Sequence, residues 1–107
     1  MDFSELQDQA RAVRRRYAAA EREAYGRSWT AEEVVLGFVG DVGDLATLVQ
    51  AAEGVRGDAG TADVGEALGH ELADCLWAVM TIADCYDVDL ESAFTSTVAE
   101  LRARLDG

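Results

Sequence analysis

Four acidic residues stand out by their spacing. Asp41 and Asp44 are three apart, and so are Glu71 and Asp74. On a helix, side chains three apart point the same way. Two such pairs on facing helices would offer four carboxylates with room for water, which suits a hard cation such as Mg²⁺. Carboxylates that face one another repel, and burying them is costly. Arginines or divalent cations must then neutralise them. A single pair of this kind is common on a polar helix edge. Two pairs in the same phase carry more weight.

The elements that would hold them read as four helices and one domain spanning 1–107. The first runs from about Ser4 to Tyr25, with Ser4 and Gln7 at capping-box spacing and Gly26 as its stop. The second runs from Ala31 to Ala52. Thr30 and Glu33 have capping-box spacing, and Gly54 stops the helix. Gly54 to Thr61 is glycine-rich and reads as a loop. The third helix runs from about Ala62 to Tyr86, and the fourth from an Asp89 N-cap to about Leu105. No strand alternation is visible. The fold class is all-α, a four-helix bundle.

Phase places the acids. In the second helix Val34, Val35, Phe38, Val42, Leu45 and Val49 form an apolar stripe, with Asp41 about 60° from its centre and so inside it, and Asp44 on its margin. In the third, Val64, Leu68, Leu72, Cys75, Val79, Ile82 and Tyr86 form the stripe. Glu71 again lies about 60° off and Asp74 on the margin. Gly37, Gly40 and Gly43 each cost about 1 kcal/mol relative to alanine inside a helix. Tight packing, or backbone space beside a metal or phosphate, would offset that.

Composition narrows the function. The net charge is −12, and all nine basic residues are arginine. Such a chain repels nucleic acid and anionic membrane. A phosphorylated substrate would need cations as mediators. With no leader or membrane-spanning run in view, the expected compartment is cytoplasmic. Cys75 and Cys85 read as small core residues in a reducing compartment.

The segment Val39-Gly40-Asp41-Val42-Gly43-Asp44-Leu45 resembles the first motif of the MazG-like all-α nucleotide pyrophosphohydrolases, and His70-Glu71-Leu72-Ala73-Asp74-Cys75-Leu76 resembles the second. The run from Ile82 to Ala93 is similar to the family's turn into its last helix. The likeness covers Tyr17 to Leu105 and is nearest to the small dCTPase-like members. It implies a MazG-like bundle completed by dimerisation, as a homodimer or homotetramer. It also implies Mg²⁺, with Mn²⁺ as alternative, held by Asp41, Asp44, Glu71 and Asp74. The implied reaction cleaves a nucleoside triphosphate to the monophosphate and pyrophosphate, with Asp41 and Glu71 in catalytic roles.

The pattern also departs from the family. Both glutamates of its first motif are aspartates here. Thr97 and Leu101 stand where a lysine and an asparagine usually serve the phosphates. Arg102 is then a weak substitute contact, as is Arg104. These departures motivate a second reading, a degenerate module that binds nucleotide or metal without turnover. A third is a plain helical oligomerisation domain.

Trp29 precedes the second helix and is placed to stack on a base or to seal the helix junction. Trp77, off the core stripe, reads as an exposed interface aromatic. His70 has Ala67 three residues before it, which argues against a di-iron pair. Arg14, Arg15 and Arg16 read mainly as partners for surface acids.

Overall fold

The computed structural model describes residues 1–54 and 63–107. The described residues form four α-helices: α1 (Phe3–Tyr25), α2 (Ala31–Ala52), α3 (Val64–Cys85) and α4 (Leu90–Asp106). There is no strand among the described residues. The loop expected over Gly54 to Thr61 lies, beyond Gly54, outside the described residues, as does the expected α3 start at Ala62.

Helix ends follow from capping chemistry. α1 is capped by Asp2, not Ser4. The Asp2 carboxylate accepts from the Glu5 N–H at 2.9 Å, and Ser4 falls inside the first turn. An anionic acceptor at that position also meets the positive end of the helix dipole. Gly26 ends α1 at φ 80°, a left-handed turn that glycine adopts without cost. At α3, Asp63 Oδ1 accepts from the Glu66 N–H at 2.8 Å. Asp89 caps α4 through the Ser92 N–H, as its sequence predicts.

α2 begins with a complete capping box. Thr30 Oγ1 accepts from the Glu33 N–H at 3.2 Å, and the Thr30 N–H donates to Glu33 Oε1 at 3.0 Å. Thr30→Ala removes one half of it. The expected loss is about 1 kcal/mol, or roughly 4–8 °C in Tm, read by thermal melting. An unchanged Tm would show that the start of α2 does not limit stability.

The chain divides into two units, residues 1–28 with 80–107 and residues 29–79. In the first, α1 meets the last turns of α3. Ala10, Met80, Thr81 and Ala83 are buried there. Arg11 donates to Asp84 at 2.6 Å and to Asp8 at 2.8 Å. Arg14 Nη1 lies 3.8 Å from Cys85 Sγ. Cys85 is exposed and Cys75 half-buried, which corrects the reading of both as core residues. Cys85 is the last residue of α3, where the packed face runs out. No α4 residue is fully buried.

The second unit holds α2 and most of α3, and it holds all four acids. Asp41, Glu71 and Asp74 influence the Cys75 thiol. Asp44, one turn after Asp41, is a neighbour of Glu71, one turn before Cys75. The two helices therefore run antiparallel.

Candidate metal centre

The inward face of α2 consists of Val34, Phe38, Asp41, Leu45 and Leu48. This face differs from the expected stripe. Val35, Val42 and Val49 are exposed, and Asp41, expected inside the stripe, lies within the packed row. Apolar residues on α2 cover an arc wide enough for two stripes, so hydropathy alone does not choose between them. α3 shows the same rotation. Leu72 and Tyr86 are exposed, while Glu71 and Asp74 are half-buried. On both helices the rotation carries acid inward.

Three of the four acids converge. Asp41, Asp44 and Glu71 each offer a carboxylate oxygen, and these atoms lie within 4.8 Å of one another. Asp41 and Glu71 are half-buried and Asp44 is exposed. Asp74 turns aside, with Oδ2 3.4 Å from His70 Nε2 one turn earlier on α3. His70 is thus a neighbour of the cluster through Asp74. Its i, i+4 spacing to Asp74 was the readable signal.

The electrostatics match the crowding. Burial raises the Asp41 pKa above the usual aspartate value, and the charges of Asp74 and Asp44 add to it. Burial likewise raises that of Glu71, followed by Asp74, Asp44 and Asp41, with His70 opposing. Cys75, one turn after Glu71, is pushed up by burial and then by the nearby carboxylates. Sequence reasoning took Cys75 only for a filler, although its i+4 position from Glu71 marked it as a neighbour of the site.

A cation fits these residues. Glu71 Oε2 is sealed from solvent and has no hydrogen-bond partner. A buried carboxylate oxygen without a partner is costly. The described part of this unit contains no lysine or arginine. Of the two remedies for facing carboxylates, arginine pairing is therefore absent from it. Three oxygens from two helices, one on the exposed side, suit a hard ion that keeps part of its water.

Trp29 lies against the same face. Its ring edge would sit 3.6 Å from a Cβ built on Gly37, an ordinary van der Waals distance, so the indole packs beside this turn of α2. Gly37 is one turn before Asp41, and nothing crowds Gly40 or Gly43. Trp29 remains 44% exposed. Trp77 is half-buried, which corrects its reading as an exposed aromatic. Arg102 is exposed on α4, in the other unit, and is not among the residues gathered here.

Comparison with family models, curated proteins and solved structures finds no match to this chain. The functional reading therefore rests on the site itself and on the motif resemblance.

Proposed function

We propose that this chain is a magnesium-dependent hydrolase that converts a nucleoside triphosphate to its monophosphate and pyrophosphate. The observation that carries the reading is the convergence of Asp41, Asp44 and Glu71 carboxylate oxygens from two helices, with Glu71 Oε2 sealed from solvent and unpartnered. Asp74 joins them at the edge as a fourth acid. A Mg²⁺ ion held by these acids, or Mn²⁺ in its place, would supply positive charge to offset that of the phosphates. No lysine or arginine stands among the described residues of this unit for that task.

The residues divide the work by position. Glu71 and Asp44 would hold the ion from the two helices. Asp41, with packed apolar residues on one side, orients the attacking water or accepts its proton. Water oxygen bonds to the α-phosphorus as the bond to the pyrophosphate oxygen breaks. Trp29, over Gly37, presents an aromatic face to the nucleobase. Arg102 is the weaker contact in this proposal. The setting is cytoplasmic.

The test is incubation of the protein with Mg²⁺ and a panel of nucleoside triphosphates, assaying pyrophosphate against orthophosphate. Pyrophosphate with matching monophosphate supports the reading. No turnover with Mg²⁺ or Mn²⁺ on any nucleotide favours the binding-module alternative. The specific observation behind that alternative is the pair Thr97 and Leu101 at the positions where the family resemblance expects lysine and asparagine.

Trp29 gives a separate check. Aromatic stacking on a base contributes about 1–3 kcal/mol. Trp29→Ala should raise KM roughly tenfold or more and leave kcat within about twofold, because uniform binding is lost. An unchanged KM would remove Trp29 from the base site.

A further inference from the structure

We propose that Cys85 is a site of reversible S-thiolation by a small anionic, peptide-like disulfide, which seats in the cleft between α1 and the last turns of α3. The cleft lies within the first unit, so the inference does not rest on the acids or on the proposed hydrolysis.

Both helices build the cleft, which has a volume of about 140 Å³. Ala10, Met80 and Thr81 are its buried lining, and Gln7, Arg14 and Cys85 line it at higher exposure. Arg11 and Asp84 also line it, but they hold each other at 2.6 Å, and Asp8 takes a second Arg11 donor at 2.8 Å. Arg14, three residues on, instead sends Nη1 to 3.8 Å from Cys85 Sγ. A guanidinium therefore stands beside the point where a reagent's sulfur must meet Sγ. It is a ready partner for a carboxylate carried by that reagent.

The cleft also holds an unmet polar group. Thr81 is 4% exposed, and its Oγ1 has no hydrogen-bond partner. A buried hydroxyl in that state is costly, and a peptide-like group seated in the cleft would offset the cost. Gln7 adds an amide that both donates and accepts. An anionic, peptide-like disulfide uses all three groups, and a short aliphatic one uses none.

The step is thiol–disulfide exchange. Cys85 gives its proton to solvent, and the thiolate attacks one sulfur of the disulfide. The new Sγ–S bond forms as the old S–S bond breaks. The other half leaves as a thiolate and takes up a proton. Cys85 is thereby oxidised to the mixed disulfide, the leaving half is reduced to a thiol, and added thiol reverses the exchange.

The same chain carries its own reference. Cys75 is half-buried and feels the charges of Asp41, Glu71 and Asp74, so an anionic reagent is repelled there. The whole chain carries −12. An exposed cysteine with no site beside it would therefore favour a cationic disulfide over an anionic one. A cleft that seats an anionic disulfide shifts this order at Cys85.

The test exposes the full reduced chain to glutathione disulfide or, separately, to cystamine, and reads the rate at each cysteine by peptide mass spectrometry. The urea-unfolded chain gives the order set by net charge alone. In the folded chain, the rate ratio of glutathione disulfide to cystamine at Cys85 should exceed the unfolded ratio by about tenfold or more. Cys85 should also outpace Cys75 with glutathione disulfide. Arg14→Gln should return the Cys85 ratio to the unfolded value. Thr81→Val keeps the side-chain shape and decides if Arg14→Gln does not fold, with an expected fall of about threefold in the ratio. Equal ratios in the folded and unfolded chains overturn the proposal. So does a ratio that folded Arg14→Gln leaves unchanged, or modification confined to Cys75. Hydrolysis is not read in any of these measurements, so failure here leaves the nucleotide assay to stand or fall alone.

Discussion

On the proposed reaction, Glu71→Gln should lower kcat for pyrophosphate release roughly 10³-fold and leave far-UV circular dichroism unchanged. Glutamine keeps the size and shape of the side chain, so packing around a half-buried position is preserved. The charge and the second ligand-competent oxygen are lost. Glu71 is the α3 member of the converging three, and its Oε2 has no partner to fall back on. Asp44, exposed on the solvent side, can be replaced in part by water. Asp44→Asn should therefore cost less activity than Glu71→Gln, and more Mg²⁺ should recover part of it. Measured kcat and KM against Mg²⁺ concentration check both. A Glu71→Gln protein that turns over at the wild-type rate would sink the proposed site.

The four elements were legible from the sequence because local chemistry wrote them. The Thr30–Glu33 box, the Asp89 cap and the Gly26 and Gly54 stops all lie where the pattern put them. The cap of α1 was misplaced by two residues, because Ser4 and Asp2 both precede an apolar run and only geometry separates them. The acid pairs were legible as pairs. Which apolar residues pack beside them was not. α2 has apolar residues on two adjacent arcs, and a hydropathy period fixes the spacing of a stripe without fixing which stripe faces the neighbouring helix. Asp41 was expected inside the stripe and is found within the packed row, while Val35, Val42 and Val49 of that stripe are exposed. The division of roles inside the four acids was also hidden. Asp74 turns toward His70, a contact set by side-chain direction that motif spacing does not carry.

Metal-free protein should lose stability as pH rises, and Mg²⁺ should reverse the slope. The Asp41 and Glu71 pKa values are raised above 3.8 and 4.5 by burial and by neighbouring carboxylates. In that window the folded chain binds more protons than the unfolded one. Stability from these two groups is then full below the ordinary carboxylate range and is lost as pH rises through the raised values. As pH rises the cluster ionises and its carboxylates repel one another. A cation at the cluster favours the ionised form, so its stabilisation grows over the same window. At about 100 times its dissociation constant a ligand adds about 2.7 kcal/mol, which for a chain of this size is roughly 10 °C or more in Tm. Melts with and without Mg²⁺ at mildly acidic and neutral pH read this increment, which should be largest at neutral pH. The remaining surface acids contribute a common background. The comparison that isolates the cluster is therefore wild type against Glu71→Gln. The variant should melt higher than wild type when metal-free at neutral pH, since one repelling charge is gone, and should show little Mg²⁺ increment. If Glu71→Gln melts lower without metal and keeps the full increment, the carboxylates are held by packing alone, and the cation must bind elsewhere.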